Sequence, residues 1–119
     1  MQLDQRQVKS ATVVDLSGDG IGSEPSPLRA LITSILASGR RQLVLNLEQL
    51  EKMDSTCLAE IVASYKATVA AGGIMKIASA NTHVRRVLQV TRVDSFVHIY
   101  ESESAAVESF DVAESRSHT

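Results

Sequence analysis

The chain has 119 residues, 44% of them hydrophobic and only 3% aromatic, with no tryptophan and a formal net charge of −2. This length fits one domain with its own core; the weak negative charge argues against general nucleic-acid binding, which needs a basic field, and the scarcity of aromatics argues against a base-stacking platform. One cysteine, Cys57, excludes an internal disulfide and fits a reducing compartment.

His83, His98 and His118 stand at no metal-ligand spacing with Cys57, so neither a metal nor another cofactor is expected. The polar start, Met1 to Ser10, lacks the apolar core of a signal segment. No apolar run reaches the roughly 18 residues that span a bilayer. The expectation is a soluble, cytoplasmic protein.

In chain order, Val8 to Ser17 turns apolar at Val13, Val14 and Leu16 and reads as a strand, with a short strand around Leu3 to Val8 as its partner. Gly18 to Pro27 holds three glycines and both prolines and reads as a loop. Ser26 and Pro27 then form a helix start, a capping hydroxyl followed by a residue suited to the first turn. Leu28, Leu31, Ile32, Ile35 and Leu36 give the helical period, and Gly39 supplies the stop. Leu43 to Leu47 is a nearly continuous apolar run, the mark of a strand buried on both faces.

A polar loop is expected over Glu48 to Met53. A second helix then starts near Asp54-Ser55-Thr56, carries the stripe Leu58, Ile61, Val62, Tyr65 and Val69, and stops at Gly72-Gly73. Ile74 to Ala78 is the next strand, and Asn81 caps a short helix through Val84, Val87 and Leu88. Phe96 to Tyr100 reads as another strand, and Ala106, Val107 and Phe110 mark a last helix. Residues 1–110 are expected to form the single domain, with 111–119 a flexible tail. Strands alternating with helices imply an α/β fold: a mostly parallel, mixed sheet of four to five strands with four helices packed against it.

The segment Leu43 to Gly73 carries the functional signal. The carboxyl ends of strands in α/β sheets are where ligand and partner surfaces form. Two roles fit Asp54, Ser55 and Thr56 at such an end. They are good helix caps, and an exposed serine at a helix N-terminus is also a natural phosphate carrier, because free N–H groups and the positive dipole end surround it. Glu51 and Asp54, with Glu48, make the approach acidic; this is either an ordinary solvated loop or a surface facing arginines of a partner. Cys57 reads as a small buried hydrophobe. Arg85 and Arg86 flank a helix face with their stems on protein. Gly18, Gly20 and Gly22 lack the Lys-Ser/Thr of a phosphate loop, so a nucleotide-binding module is the weaker alternative.

The sequence resembles the STAS domains of bacterial anti-sigma-factor antagonists. Those show L-x-G after the first long strand, a strand ending L-x-L, then D-S-[ST]-G-[LIV], a Gly-Gly pair and V-x-[RK]-[VL]-[LF]. This chain has Leu16-Ser17-Gly18, Leu45-Asn46-Leu47, Asp54-Ser55-Thr56-Cys57-Leu58, Gly72-Gly73 and Val84-Arg85-Arg86-Val87-Leu88 in the same order, over residues 8 to 110.

The resemblance implies a STAS fold with no catalysis of its own, Ser55 as phosphoacceptor, and a partner surface of Glu51, Asp54, Ser55, Thr56 and Cys57. It further implies an anti-sigma factor that is also a serine kinase with a GHKL-type ATP site, and a metal-dependent serine phosphatase that reverses the mark. A scaffold subunit of a stress-signalling or lipid-transport complex is the alternative within the same family. Two departures stand out: Cys57 replaces the family's glycine, and Gly18 to Gly22 is altered. Homo-oligomerisation is left open.

Overall fold

The computed structural model describes residues 2–18 and 27–117; the expected Ser26 cap and the Asp19–Gly22 part of the glycine loop lie outside the described residues. The elements are β1 (Gln2–Val8), β2 (Ala11–Gly18), α1 (Pro27–Ala37), β3 (Gln42–Leu50), α2 (Ser55–Ala70), β4 (Ile74–Ala78), α3 (Thr82–Val90), β5 (Ile99–Tyr100) and α4 (Glu103–Ser117). They build a five-stranded sheet in the order β1-β2-β3-β4-β5. β1 and β2 form an antiparallel hairpin through Lys9 and Ser10; every later pairing is parallel.

The apolar run of β3 is explained by burial on both faces. Leu43, Leu45 and Leu47 join Val14, Leu16 and Ile77 under α1, α2 and α3, where Leu28, Ile32, Cys57, Ile61, Val84 and Leu88 complete the larger core. Val44 points the other way and meets Ala11, Val13 and Ala78 beneath Ala106, Val107 and Phe110 of α4. Alternation along each strand thus feeds two helical layers from one sheet.

Three boundaries differ from the sequence expectation. β3 continues to Leu50, because Ser17 and Gly18 of β2 pair with Gln49 and Leu50 beyond an irregularity at Asp15/Ser17; Glu48 is therefore a strand residue. The strand expected over Phe96–Tyr100 is reduced to Ile99–Tyr100. A 3-10 turn at Val93–Ser95 follows Arg92 at φ 63°, and the Phe96 and Val97 amides bond back to the Val93 carbonyl, so the chain straightens late. α4 is longer than its apolar period, its backbone remaining helical as far as Ser117.

The buried face of α2 is also rotated from the expected stripe. Cys57, Glu60, Ile61, Ser64 and Thr68 are buried, Leu58, Val62 and Tyr65 lie at the margin, and Val69 is 50% exposed. Small polar residues face inward where α2 packs on α1 and the sheet, and Thr68 satisfies its hydroxyl by donating to the Ser64 carbonyl at 2.8 Å. The helix ends as expected at Gly72, with φ 81°. Gly73 is required for a different reason: a Cβ there would come within 2.7 Å of the Arg41 carbonyl oxygen.

Candidate functional site

The β3–α2 junction is shaped from its backbone outward. After Leu50 the chain crosses Glu51 to Asp54 and enters α2 at Ser55. Asp54 is the N-cap: its Oδ1 accepts the Cys57 N–H at 2.8 Å, and its carbonyl accepts the Leu58 N–H at 3.0 Å. Ser55 and Thr56, the first two helical residues, are exposed, whereas the Cys57 side chain is fully buried. Glu51 and Lys52 are exposed and Met53 is buried, pinning the loop between them and the cap.

Glu51, Asp54, Ser55 and Thr56 thus share one edge of the molecule at the carboxyl end of β3. Cys57 lies beneath them as the first core residue of α2. Burial pushes its thiol up to about 11, with the Asp54 and Glu60 carboxylates adding to the effect; such a thiol is protonated at neutral pH and a poor nucleophile. Glu48 lines a different hollow with Ser79, Glu101, Ser102 and Glu103. The three acids read together in the sequence therefore separate in space, and Glu51 and Asp54 supply the charge beside Ser55.

Asn81 has a role that its sequence position does not show. Its Oδ1 caps α3 by accepting the Val84 N–H at 2.8 Å. Its amide nitrogen donates to the carbonyls of Leu50 and Glu51, at 3.1 and 3.2 Å. One side chain thus ties the start of α3 to the loop that presents Ser55. The Glu51 N–H donates to the Gly18 carbonyl at 2.8 Å and fastens the same loop to β2. A capping residue preceding a helical period was the only sequence signal; the crossing contact needs the parallel register of β3 and β4.

The arginines of α3 diverge. Arg85 pairs with Glu101 at 2.7 Å, and Arg86 is exposed beside His83, Val87 and Val90. Among the described residues no cluster of His, Cys, Asp or Glu could hold a metal, and no helix is long and apolar enough to cross a membrane.

Known proteins share this fold. The TM1081 homologue of Thermotoga neapolitana is 37% identical over 73 residues, 61% of this chain and 65% of that relative, so the match spans less than two thirds of its length. The anti-sigma F factor antagonist of Paenibacillus polymyxa is 28% identical over 115 residues, covering 94% of this chain and 97% of the relative. The Bacillus cell fate determinant SpoIIAA, solved in its phosphorylated form, superposes with a TM-score of 0.71 at 18% identity over 92% of this chain and 99% of its own. The STAS domain model matches residues 2–106, and the chain belongs to the STAS domain family.

Proposed function

We propose that this protein is an anti-sigma-factor antagonist, a binding switch without catalysis of its own, controlled by phosphorylation of Ser55. The observation that carries this is the exposure of Ser55 as the first residue of a capped helix, on an acidic edge, with the core starting two residues later at Cys57. A kinase can reach the hydroxyl without disturbing packing. The phosphate then sits at a helix N-terminus, where backbone N–H groups and the dipole tolerate negative charge. Support from relatives is of the same kind: one is an anti-sigma F factor antagonist, and SpoIIAA carries a phosphorylated form on this fold.

In the unmodified state, Glu51, Asp54, Ser55 and Thr56 meet a serine kinase of the GHKL type that also acts as anti-sigma factor. Its capture releases a sigma factor. Phosphorylation adds a charge of about −1.5 to −2 beside Asp54. In a closed interface that charge meets the acidic groups without water between them. A loss of about 3 to 4 kcal/mol weakens binding several hundred-fold. A metal-dependent phosphatase resets the switch.

The test uses the purified chain with its kinase and ATP. One phosphate is expected on Ser55 by mass spectrometry, none on Ser55→Ala, and loss of the kinase complex on modification. Full phosphorylation of Ser55→Ala at Thr56, or a complex indifferent to the mark, overturns the assignment.

A further inference from the structure

β1 is a seven-residue strand at the end of the sheet, paired on one side only among the described residues. Gln2, Asp4, Gln5, Arg6 and Gln7 are exposed. The strand has no proline and no bulge against β2, two of the devices that close a free edge; its two charges, Asp4 and Arg6, are of opposite sign.

The hairpin register fixes which backbone groups face outward. Val8 and Ala11 flank the two-residue turn and form the hydrogen-bonded pair that closes it. Alternation along an antiparallel ladder makes Arg6↔Val13, Asp4↔Asp15 and Gln2↔Ser17 hydrogen-bonded pairs as well. The N–H and C=O groups of Leu3, Gln5 and Gln7 therefore point away from β2. Asp4 and Arg6 turn their backbones inward and share the sheet face of Val13, the face that carries α4.

We propose that this edge is a homodimer interface, in which β1 of a second copy pairs antiparallel to this β1 about a two-fold axis at Gln5. The charges select that register. An axis at Asp4 or at Arg6 places like charges directly opposite, which is unfavourable. An axis at Leu3 or Gln7 leaves most of the strand unpaired. With the axis at Gln5 the whole strand pairs. Gln5 meets Gln5, and Leu3 meets Gln7, through the outward N–H and C=O groups of both copies.

Asp4 then faces Arg6 of the second copy in a non-hydrogen-bonded pair, the position where cross-strand side chains come closest. In the single chain Asp4 stands opposite Asp15, a like charge. Arg6 bonds to Asp15 through Nε and Nη2 and to Glu103 through Nη1 and Nη2. Of the five guanidinium N–H groups, one on Nη1 remains for the Asp4 carboxylate of the second copy, and two-fold symmetry makes this contact twice. The two sheets become one continuous sheet. Ser55 lies beyond β3, two strands in from this edge, and stays accessible.

The interface is one strand wide, so it belongs at the small, weak end of protein contacts, with a Kd of about micromolar order. Sedimentation velocity on the full chain over about a hundredfold range around that value should show a reversible monomer–dimer equilibrium. The amides of Leu3, Gln5 and Gln7 should gain hydrogen-exchange protection as the concentration rises. Gln5→Pro removes an N–H that the dimer uses and the hairpin does not, at an edge position where proline is tolerated. Asp4→Arg sets two cations face to face across the axis. Each should weaken dimerisation at least about tenfold, equivalent to about 1.4 kcal/mol, while thermal unfolding of Asp4→Arg at low concentration confirms an intact monomer. A monomer at every concentration, or wild-type dimerisation in Asp4→Arg, overturns the proposal. Neither result bears on whether Ser55 is phosphorylated.

Discussion

Replacing Asn81 separates loop anchoring from helix capping. Asn81→Ala removes three hydrogen bonds at once: the cap to the Val84 N–H and the two donations to Leu50 and Glu51. Loss of an N-cap costs about 1 kcal/mol. Two neutral bonds to carbonyls at the surface add about 0.5 kcal/mol each, the low end of the usual range. A destabilisation of about 2 kcal/mol is expected, read as a fall in denaturant midpoint without a change in slope. Asn81→Ser retains a capping oxygen but cannot reach the loop, so it should cost about 1 kcal/mol. Serine should thus recover about half the stability that alanine loses. The loop effect is read separately, as faster hydrogen exchange at Glu51 in both variants, because its N–H bond to the Gly18 carbonyl is held by the same loop. If serine restores full stability and Glu51 exchange is unchanged in both variants, Asn81 is a cap alone and the loop is positioned by other contacts.

Three further outcomes follow from the same geometry. Ser55→Asp should shift stability by no more than about 1 kcal/mol in a urea titration, since aspartate suits a helix N-terminus; a loss of several kcal/mol would mean that position 55 is packed. Cys57→Gly should cost about 2 kcal/mol, from glycine's helix penalty and the loss of a fully buried side chain, with partner affinity unchanged after correction for folding; a change confined to affinity contradicts the core placement of Cys57. Stability should fall as pH rises from 9 toward about 11, because the open-chain thiol ionises near 9.0 while the folded one holds its proton to about 11. Below 9 that contribution is complete, and denaturant midpoints of Cys57→Ala should lack this share of the alkaline decline.

Elements whose signals are local were legible in the sequence. Ile74–Ala78 and the start of α2 at Asp54-Ser55 follow from an apolar run and a cap, and Gly39 and Gly72 both occupy positive φ at helix ends. What the sequence could not show depends on contacts between distant segments. Periodicity weights apolar residues, so it aimed α2 through Leu58 and Val69. The helix instead turns Ser64 and Thr68 inward, where small side chains let it approach α1 and the sheet. Glu48 read as a loop residue because strand pairing with β2 extends β3 past its last apolar pair. Arg6, Asp15, Asn46 and Glu103 carry no joint motif. They meet because the hairpin, the parallel register and the docking of α4 converge: the Asn46 side-chain amide donates to Asp15 at 2.8 Å, and the Arg6 guanidinium holds the Asp15 carboxyl below its usual range. At the β3–α2 junction the sequence placed Ser55 at the helix start, where the structure has it exposed, but did not show Asn81 as the residue that holds the loop.

The proposed switch acts on binding and not on folding because of where α2 is anchored. Its hold on the protein comes from Cys57, Ile61, Ser64 and Thr68, all buried and all beyond the first two helical residues. A charge added at Ser55 meets two opposing influences within the chain. The helix N-terminus attracts it, by about 0.3 to 1 kcal/mol at a solvated surface. Asp54, and at longer range Glu51, repel it through water by a similar amount, less what the exposed Lys52 of the same loop offsets. These nearly cancel, so the fold is little affected by the modification. A partner that closes over Ser55 removes the water that weakens the repulsion and adds no second helix terminus to balance it. The same phosphate is then close to neutral for the free protein and costly for the complex, and on the proposed reading this asymmetry is what would let one serine govern association while the sheet and both helical layers stay unchanged.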